Sequence, residues 1–465
     1  MGSDRKAPAV VVKVVRFVPL AALAVLLLDS ATDFFPDDPI AGILTPARLT
    51  LLLGLVALLV PPGRARLRDF RTRLDLPVAL LVGAAVAATY RGGHPTAPLR
   101  GLLTVVATYY LVVGVRRTRP ESWRAVGLLA LAGVTAASTS AFSQVTNGTS
   151  TGFCRTGLLT DVACDAGGGD VLIRATGTFA NPNLLGACLV LLLPFALLAA
   201  VAVDESTART AIVVMVLIGY GALVTTFSRA EYVAAAAGLL VLGGAYWLAP
   251  RLADRARRRV LAVVGGLGLL AAAGVIWGVS RAGDSLGVRG QAWWAALQVA
   301  RQNPLGVGLG RSGDAISAAA PGERVFVHAH NLWLNWLVET GPLGLLAVVA
   351  VTVVAWASAG RAARDKSVLG TFGLASLTGF FLAGMLDDPA NLDRISMLFW
   401  LVLGVVMAEA PTGWRRRPAA PVVLDDDTIV LNVPRPHLRQ QPSHGRHRPV
   451  AAAARTEPAR ARGPR

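Results

Sequence analysis

The sequence predicts an all-α fold: a polytopic integral membrane protein of about twelve transmembrane helices, with a large extracytoplasmic loop carrying short amphipathic helices. Three observations predict it. Hydrophobic residues make up 54% of the 465 residues and charged residues only 16%, with a mean hydropathy of +0.55. Soluble domains are about a quarter charged, so this chain lacks the polar surface to cover several soluble cores. Apolar runs such as 189–203 and 260–279 approach or reach the ~20 residues that cross a bilayer. The basic residues gather in short loops between such runs. A soluble enzyme, a secreted domain and a nucleic-acid binder are therefore excluded, despite a net charge of +17.

In chain order, the apolar runs between charged breaks place spans at 14–28, 47–60, 76–90, 99–115, 125–142, 183–203, 210–227, 231–249, 260–279, 338–358, 368–386 and 394–410. The first is not a signal peptide, because further spans follow and no small-residue cleavage site closes it. Basic loops face the cytoplasm. Arg64, Arg66, Arg68, Arg71 and Arg73 lie in one loop, Arg116, Arg117, Arg119 and Arg124 in the next, five arginines in 250–259, and Arg361, Arg364 and Lys366 in a fourth. Thirty-three of the 45 Lys and Arg residues fall on this side. Both termini are then cytoplasmic. The expected organisation is five helices over 1–142, an outer loop 143–182, four helices over 183–279, a large outer loop 280–337 with the chemistry, three helices over 338–410, and a tail 411–465.

The tail is rich in Pro, Arg and Ala with no apolar periodicity. It reads as disordered and solvated, with arginines that can touch anionic lipid. Cys154 and Cys164 share the loop 143–182. On the oxidising side they can close it as a disulfide, the preferred reading, or stand as free thiols.

The loop 280–337 is the informative one. Arg289 to Gln302 has helical spacing, with Trp293, Leu297 and Ala300 on one side, as in an amphipathic helix on the membrane surface. Gly306, Gly308 and Gly310 follow Asn303-Pro304. No strand precedes this run and no Gly-Lys-Ser/Thr follows it, so it reads as a turn allowing close backbone approach and not as a nucleotide loop. Asn331, Asn335 and Glu339 recur every fourth residue, a polar stripe on the outer end of a helix. His330 precedes that stripe and His328 competes with it. Ser228-Arg229 sits between two apolar runs, where Arg229 either serves chemistry or pairs with Glu231. Asn181-Pro182-Asn183 opens the sixth span, where Asn183 can cap the helix. Asp387-Asp388 could hold a cation, but reads more simply as acidic residues at a membrane boundary. Arginines can hold a diphosphate leaving group bidentately, and a histidine can take the proton of an attacking hydroxyl.

Together these elements resemble the O-antigen ligase/polymerase superfamily of bacterial envelope glycan enzymes, over roughly 176–393. The motif of His, Asn, nine residues and Gly-x-x-Gly is met by His330, Asn331, Gly341 and Gly344, with Ala347 where Gly, Thr or Trp is usual. Gly177–Asn183 matches the Gly-Thr-Phe-x-Asn-Pro-Asn stretch. Ser228-Arg229 matches the arginine after span seven, with Ala230 in place of the usual Gly. Arg289, Trp293, Asn303, Pro304, Gly306 and Gly308 match the Arg-x-x-x-Trp helix and its Asn-Pro-x-Gly-x-Gly turn. The resemblance implies a membrane glycosyltransferase at the outer face of the plasma membrane. Its donor would be an undecaprenyl-diphosphate-linked glycan and its acceptor a glycan, lipid or protein. It implies no cofactor and no metal. Arg229 and Arg289 would hold the diphosphate and His330 would activate the acceptor. Asn331, Trp293, Asn181, Asn183 and Glu339 would line the substrate site. The competing expectation is a transporter or flippase of lipid-linked sugars, which should show internal repeats and charges at mid-membrane depth; neither is evident.

Overall fold

A computed structural model describes residues 9–60 (without 37, 39 and 41), 65–156, 160–162, 164, 171–248, 255, 256, 259, 287–322, 324–391 and 393–410. The predicted ninth span at 260–279 and the tail 411–465 lie outside these residues. Each of the other eleven apolar runs carries a helix: α1 (Ala9–Thr32), α2 (Pro46–Leu59), α4 (Asp75–Arg91), α5 (Ala97–Thr118), α6 (Trp123–Thr146), α7 (Pro182–Ala202), α8 (Ser206–Thr225), α9 (Arg229–Gly243), α12 (Leu332–Arg364), α13 (Val368–Gly384) and α14 (Asp393–Glu409). A single turn, α3 (Leu67–Phe70), lies in a basic loop, while α10 (Gly287–Gln302) and α11 (Ser312–Ala319) lie in the large loop.

Among the described residues, α5, α6 with the turn before it, α7, α8 and α12 are long and apolar enough to cross a membrane, and three shorter helices are also apolar. The chain is a multi-pass membrane protein. Helix α7 is apolar on every side and buried along nearly all its length, as expected of a bundle's central helix. Around it pack α6, α8, α9, α13 and α14. Peripheral helices turn large apolar side chains outward, for example Leu343, Leu346, Val353 and Trp356 of α12, where lipid takes the place of a protein neighbour.

The fold is all-α but for one small addition. The loop 143–182 contains a three-stranded antiparallel sheet, β1 (Cys154–Thr156), β2 (Thr160–Val162) and β3 (Val171–Ile173), in the order β2-β1-β3. Cys154 pairs with Val162 on one side and Ile173 on the other. Cys154 and Cys164 are joined by a disulfide.

A correction concerns the amphipathic helix. Helix α10 buries Ala292, Trp293, Ala295, Ala296 and Val299, whereas Leu297 is 41% exposed. The apolar face is therefore rotated from the predicted one, and it is met by protein. With Ile316 of α11, Phe326, Ala329 and Val338 it forms a small core of its own.

The polar stripe on α12 turns inward. Asn331 lies just outside the helix as its N-cap, and Asn335 and Glu339 are buried. At 33 residues α12 is about 50 Å long, well beyond a ~30 Å hydrocarbon core. Its outer turns therefore belong to the loop domain, and the break between the two parts is Gly341 (φ 70°). A Cβ there would lie 2.5 Å from the Pro304 carbonyl oxygen, so the 303–310 turn rests directly on the kink.

Loop contacts fall at two ends of the bundle. At one end Arg116 pairs with Glu409 at 2.7 Å, Ser367 donates to the same carboxylate, and Arg117 donates to the Asp69 carbonyl. At the other end the segments around 94, 174, 226, 308, 330 and 387 meet. These are the two sets that the charge pattern assigns to the inside and the outside.

Candidate active site

The second of these ends holds a hydrogen-bonded chain of side chains drawn from three loops and a helix start. Asn181, not Asn183, caps α7. Pro182 with its fixed φ takes the first helical position, so the cap falls one residue before it, and the Asn181 side chain accepts from the Asn183 N–H. That leaves the Asn183 side chain free to project from the first turn. Its Nδ2 donates to Asp387 Oδ2 at 2.8 Å, and its Oδ1 accepts from Arg174 Nη2 at 3.2 Å. Arg174 follows β3 and also donates to the Thr226 carbonyl.

Asp387 is buried beyond the end of α13. Its Oδ1 lies 3.3 Å from His330 Nδ1 and 3.6 Å from His328 Nε2, and it accepts the Asp388 N–H at 2.9 Å. Burial alone would raise the Asp387 carboxyl, but the hydrogen bond to His330 and the closeness of both imidazoles outweigh it, and the carboxyl is held well below its ordinary range. Asp387 is thus an acceptor only, His330 Nδ1 carries the ring proton, and the lone pair of a neutral ring sits on Nε2. His330 has a left-handed backbone (φ 50°), its N–H donates to His328 Nδ1 at 3.0 Å, and its carbonyl accepts from Trp293 Nε1 at 3.1 Å. The histidine is fixed by helix α10, by its neighbour and by Asp387.

His328, His330 and Asp387 have donor atoms within 4.8 Å of one another, a spacing open to a metal ion. The hydrogen bonding argues against that use. His328 Nδ1 already accepts a backbone N–H, so its proton is on Nε2, and a metal at Nε2 would require an imidazolate. Burial lowers the His328 pKa to about 4, with Asp387 opposing and His330 and Arg289 assisting. His328 is therefore a neutral brace. Asp388 is buried with Oδ1 unpartnered among the described residues; burial, Glu339 and Asp387 raise its pKa, which favours its neutral form. The sequence reading of Asp387-Asp388 as boundary acids is corrected: both are inside the site.

The other sequence-selected residues separate. Arg289, half-buried on α10, is close enough to act electrostatically on His328 and Glu231. Arg229 is exposed and makes no hydrogen bond or ion pair among the described residues. Its expected partner Glu231 is buried against Ser228 instead. Asn331 is consumed structurally, its Oδ1 accepting the Leu334 N–H and its Nδ2 donating to the Met385 carbonyl. Glu339 accepts from the Gly310 N–H at 3.0 Å and Ser312 Oγ at 2.9 Å, and so anchors the glycine turn. Sequence reasoning missed Arg174 and the partnership of Asp387. It also missed Arg155, which is buried on β1 and donates to the Phe227 carbonyl. For Arg174 the available signal was an arginine directly after the apolar run Val171-Leu172-Ile173; Arg155, between Cys154 and Thr156, offered none.

Residues 194–349, about a third of the chain, match the family model described as O-Antigen ligase. That segment supports the resemblance to the O-antigen ligase/polymerase superfamily read from the motifs. No curated protein matches the chain. The superfamily match takes in Ser228, Arg229, Arg289, Trp293, His330, Asn331 and Glu339 and ends within α12. Asp387, Asn183 and Arg174 stand outside the matched segment, and only the folded structure joins them to it.

Proposed function

We propose that this protein transfers or polymerises an undecaprenyl-diphosphate-linked glycan at the outer face of the cytoplasmic membrane. The observation that carries the proposal is the chain Arg174–Asn183–Asp387–His330 with Arg289 beside it. The acceptor hydroxyl attacks the anomeric carbon of the donor sugar, and the bond from that carbon to the diphosphate oxygen breaks. His330 Nε2 takes the hydroxyl proton, and Asp387 stabilises the imidazolium that results. The electron pair leaves on undecaprenyl diphosphate, whose charge Arg289 meets in the site, with Arg229 at the rim and Arg174 behind Asn183. Trp293 positions His330 through its carbonyl. Both termini are cytoplasmic in this reading, and the apolar outer faces of the bundle accommodate the polyprenyl chain.

The test is transfer by purified protein with the lipid-linked donor and no ATP. His330→Ala and Arg289→Ala should each reduce transfer about 10²–10⁴-fold at unchanged membrane abundance. Normal transfer by either variant, or gradient-driven translocation of the donor without transfer, would overturn the proposal.

A further inference from the structure

A second polar site lies away from the His330 centre. Between the α4–α5 turn and the start of α11 is an open cavity of about 520 Å³, a volume within the range that holds small ligands. Its polar wall is Arg91, His94, Gln302, Asn303, Arg311 and Asp314, and Leu305 and Ala88 add apolar surface. A lipid chain would meet too many polar groups here. A sugar, with hydroxyl edges and C–H faces, matches both kinds of lining.

The floor is held in place before any ligand arrives. Val307 N–H donates to the Val338 carbonyl and Gly308 N–H to the Glu339 carbonyl, while the Glu339 side chain takes Gly310 and Ser312. Gly308 has φ 98°, and a Cβ there would lie 2.3 Å from the His94 ring, so the imidazole is laid against bare backbone. The Arg311 guanidinium remains available, because its pair with Asp314 at 3.5 Å is largely exposed and binds weakly; Arg91 is exposed. Helix α10 connects the two sites. Trp293 at one point carries His330, and Gln302, nine residues on, opens the cavity about 14 Å further along the axis.

We infer that this cavity is a second saccharide-binding site. It grips a stretch of glycan a few sugars from the reacting end through the Gln302 amide, the Asn303 Oδ1 (Asn303 Nδ2 donates to the Val299 carbonyl) and the guanidinium groups of Arg91 and Arg311. The inference rests on the reading of the protein as a glycan transferase, but it can fail separately. The probe is the saccharide released by mild acid from the polyprenyl-linked fraction of cells lacking this protein, titrated into the full chain in detergent.

Arg311→Ala and Arg91→Ala, on different elements, should each weaken binding about tenfold or more with melting temperature unchanged. His330→Ala should bind as the unaltered protein does. Absence of saccharide binding overturns the inference. So does binding that both arginine variants retain, and so does displacement of the saccharide by phosphatidylglycerol micelles through these arginines, which would make the cavity a headgroup site. Saccharide bound in the cavity of a protein that transfers nothing would overturn the catalytic reading and leave this site standing.

Discussion

Asp387 takes its importance from what it touches. The carboxylate is committed to Asn183, His330 and the Asp388 N–H, and so fixes which His330 ring nitrogen carries the proton. Asp387→Asn keeps the volume and the Asn183 contact but can present its NH₂ to His330 Nδ1, which favours the wrong tautomer. Transfer should fall at least about 10²-fold with donor binding nearly unchanged, a loss in kcat at constant KM; equal losses in both would point to a binding role. Little of this was legible from the sequence. His330 stands out because four weak motifs surround it. Asp387 does not, because it lies 57 residues further on and 204 from Asn183, and no helical or strand period relates such positions.

Among the elements, the helices were the legible part, because an apolar run between charged breaks is a local signal. The three strands were not. Each is three residues long, too short for a period of two to register, and their sheet is held by a cross-link and by Arg155 reaching Phe227. The rotation of α10 escaped for a related reason: small alanines, not the larger Leu297, face the packed side. Helix α12 supplies the prediction at this scale. Gly341→Ala places a side chain on a left-handed backbone and against the Pro304 carbonyl, whereas Gly344 has ordinary helical backbone and its added Cβ would press on the Thr340 side chain alone. Strain at such a position costs about 1–3 kcal/mol before the clash is counted. Melting in detergent should show Gly341→Ala clearly less stable than Gly344→Ala; the reverse order would mean that the turn at 304 yields.

For the whole molecule, the two ends of the bundle do different work. At the end away from His330, Arg116 is buried and has Glu409 as its carboxylate partner, which Ser367 also holds. Glu409→Gln would leave a buried guanidinium without its counter-charge, a loss of about 3–5 kcal/mol. It should appear as a lowered melting temperature while transfer per folded molecule at the opposite end is retained. A loss of transfer with unchanged melting would instead couple the ends. The outer end has a different consequence, one of timing. Its relay takes residues from 174, 183, 330 and 387, and the last of them follows the family-matched segment by 38 positions. During synthesis the ribosome completes every motif that marks the superfamily before it reaches the carboxylate that orients the histidine. In the proposed reaction, a chain released before Asp387 would carry the matched segment without the carboxylate that orients His330, so transfer would wait for the last 79 residues of the chain.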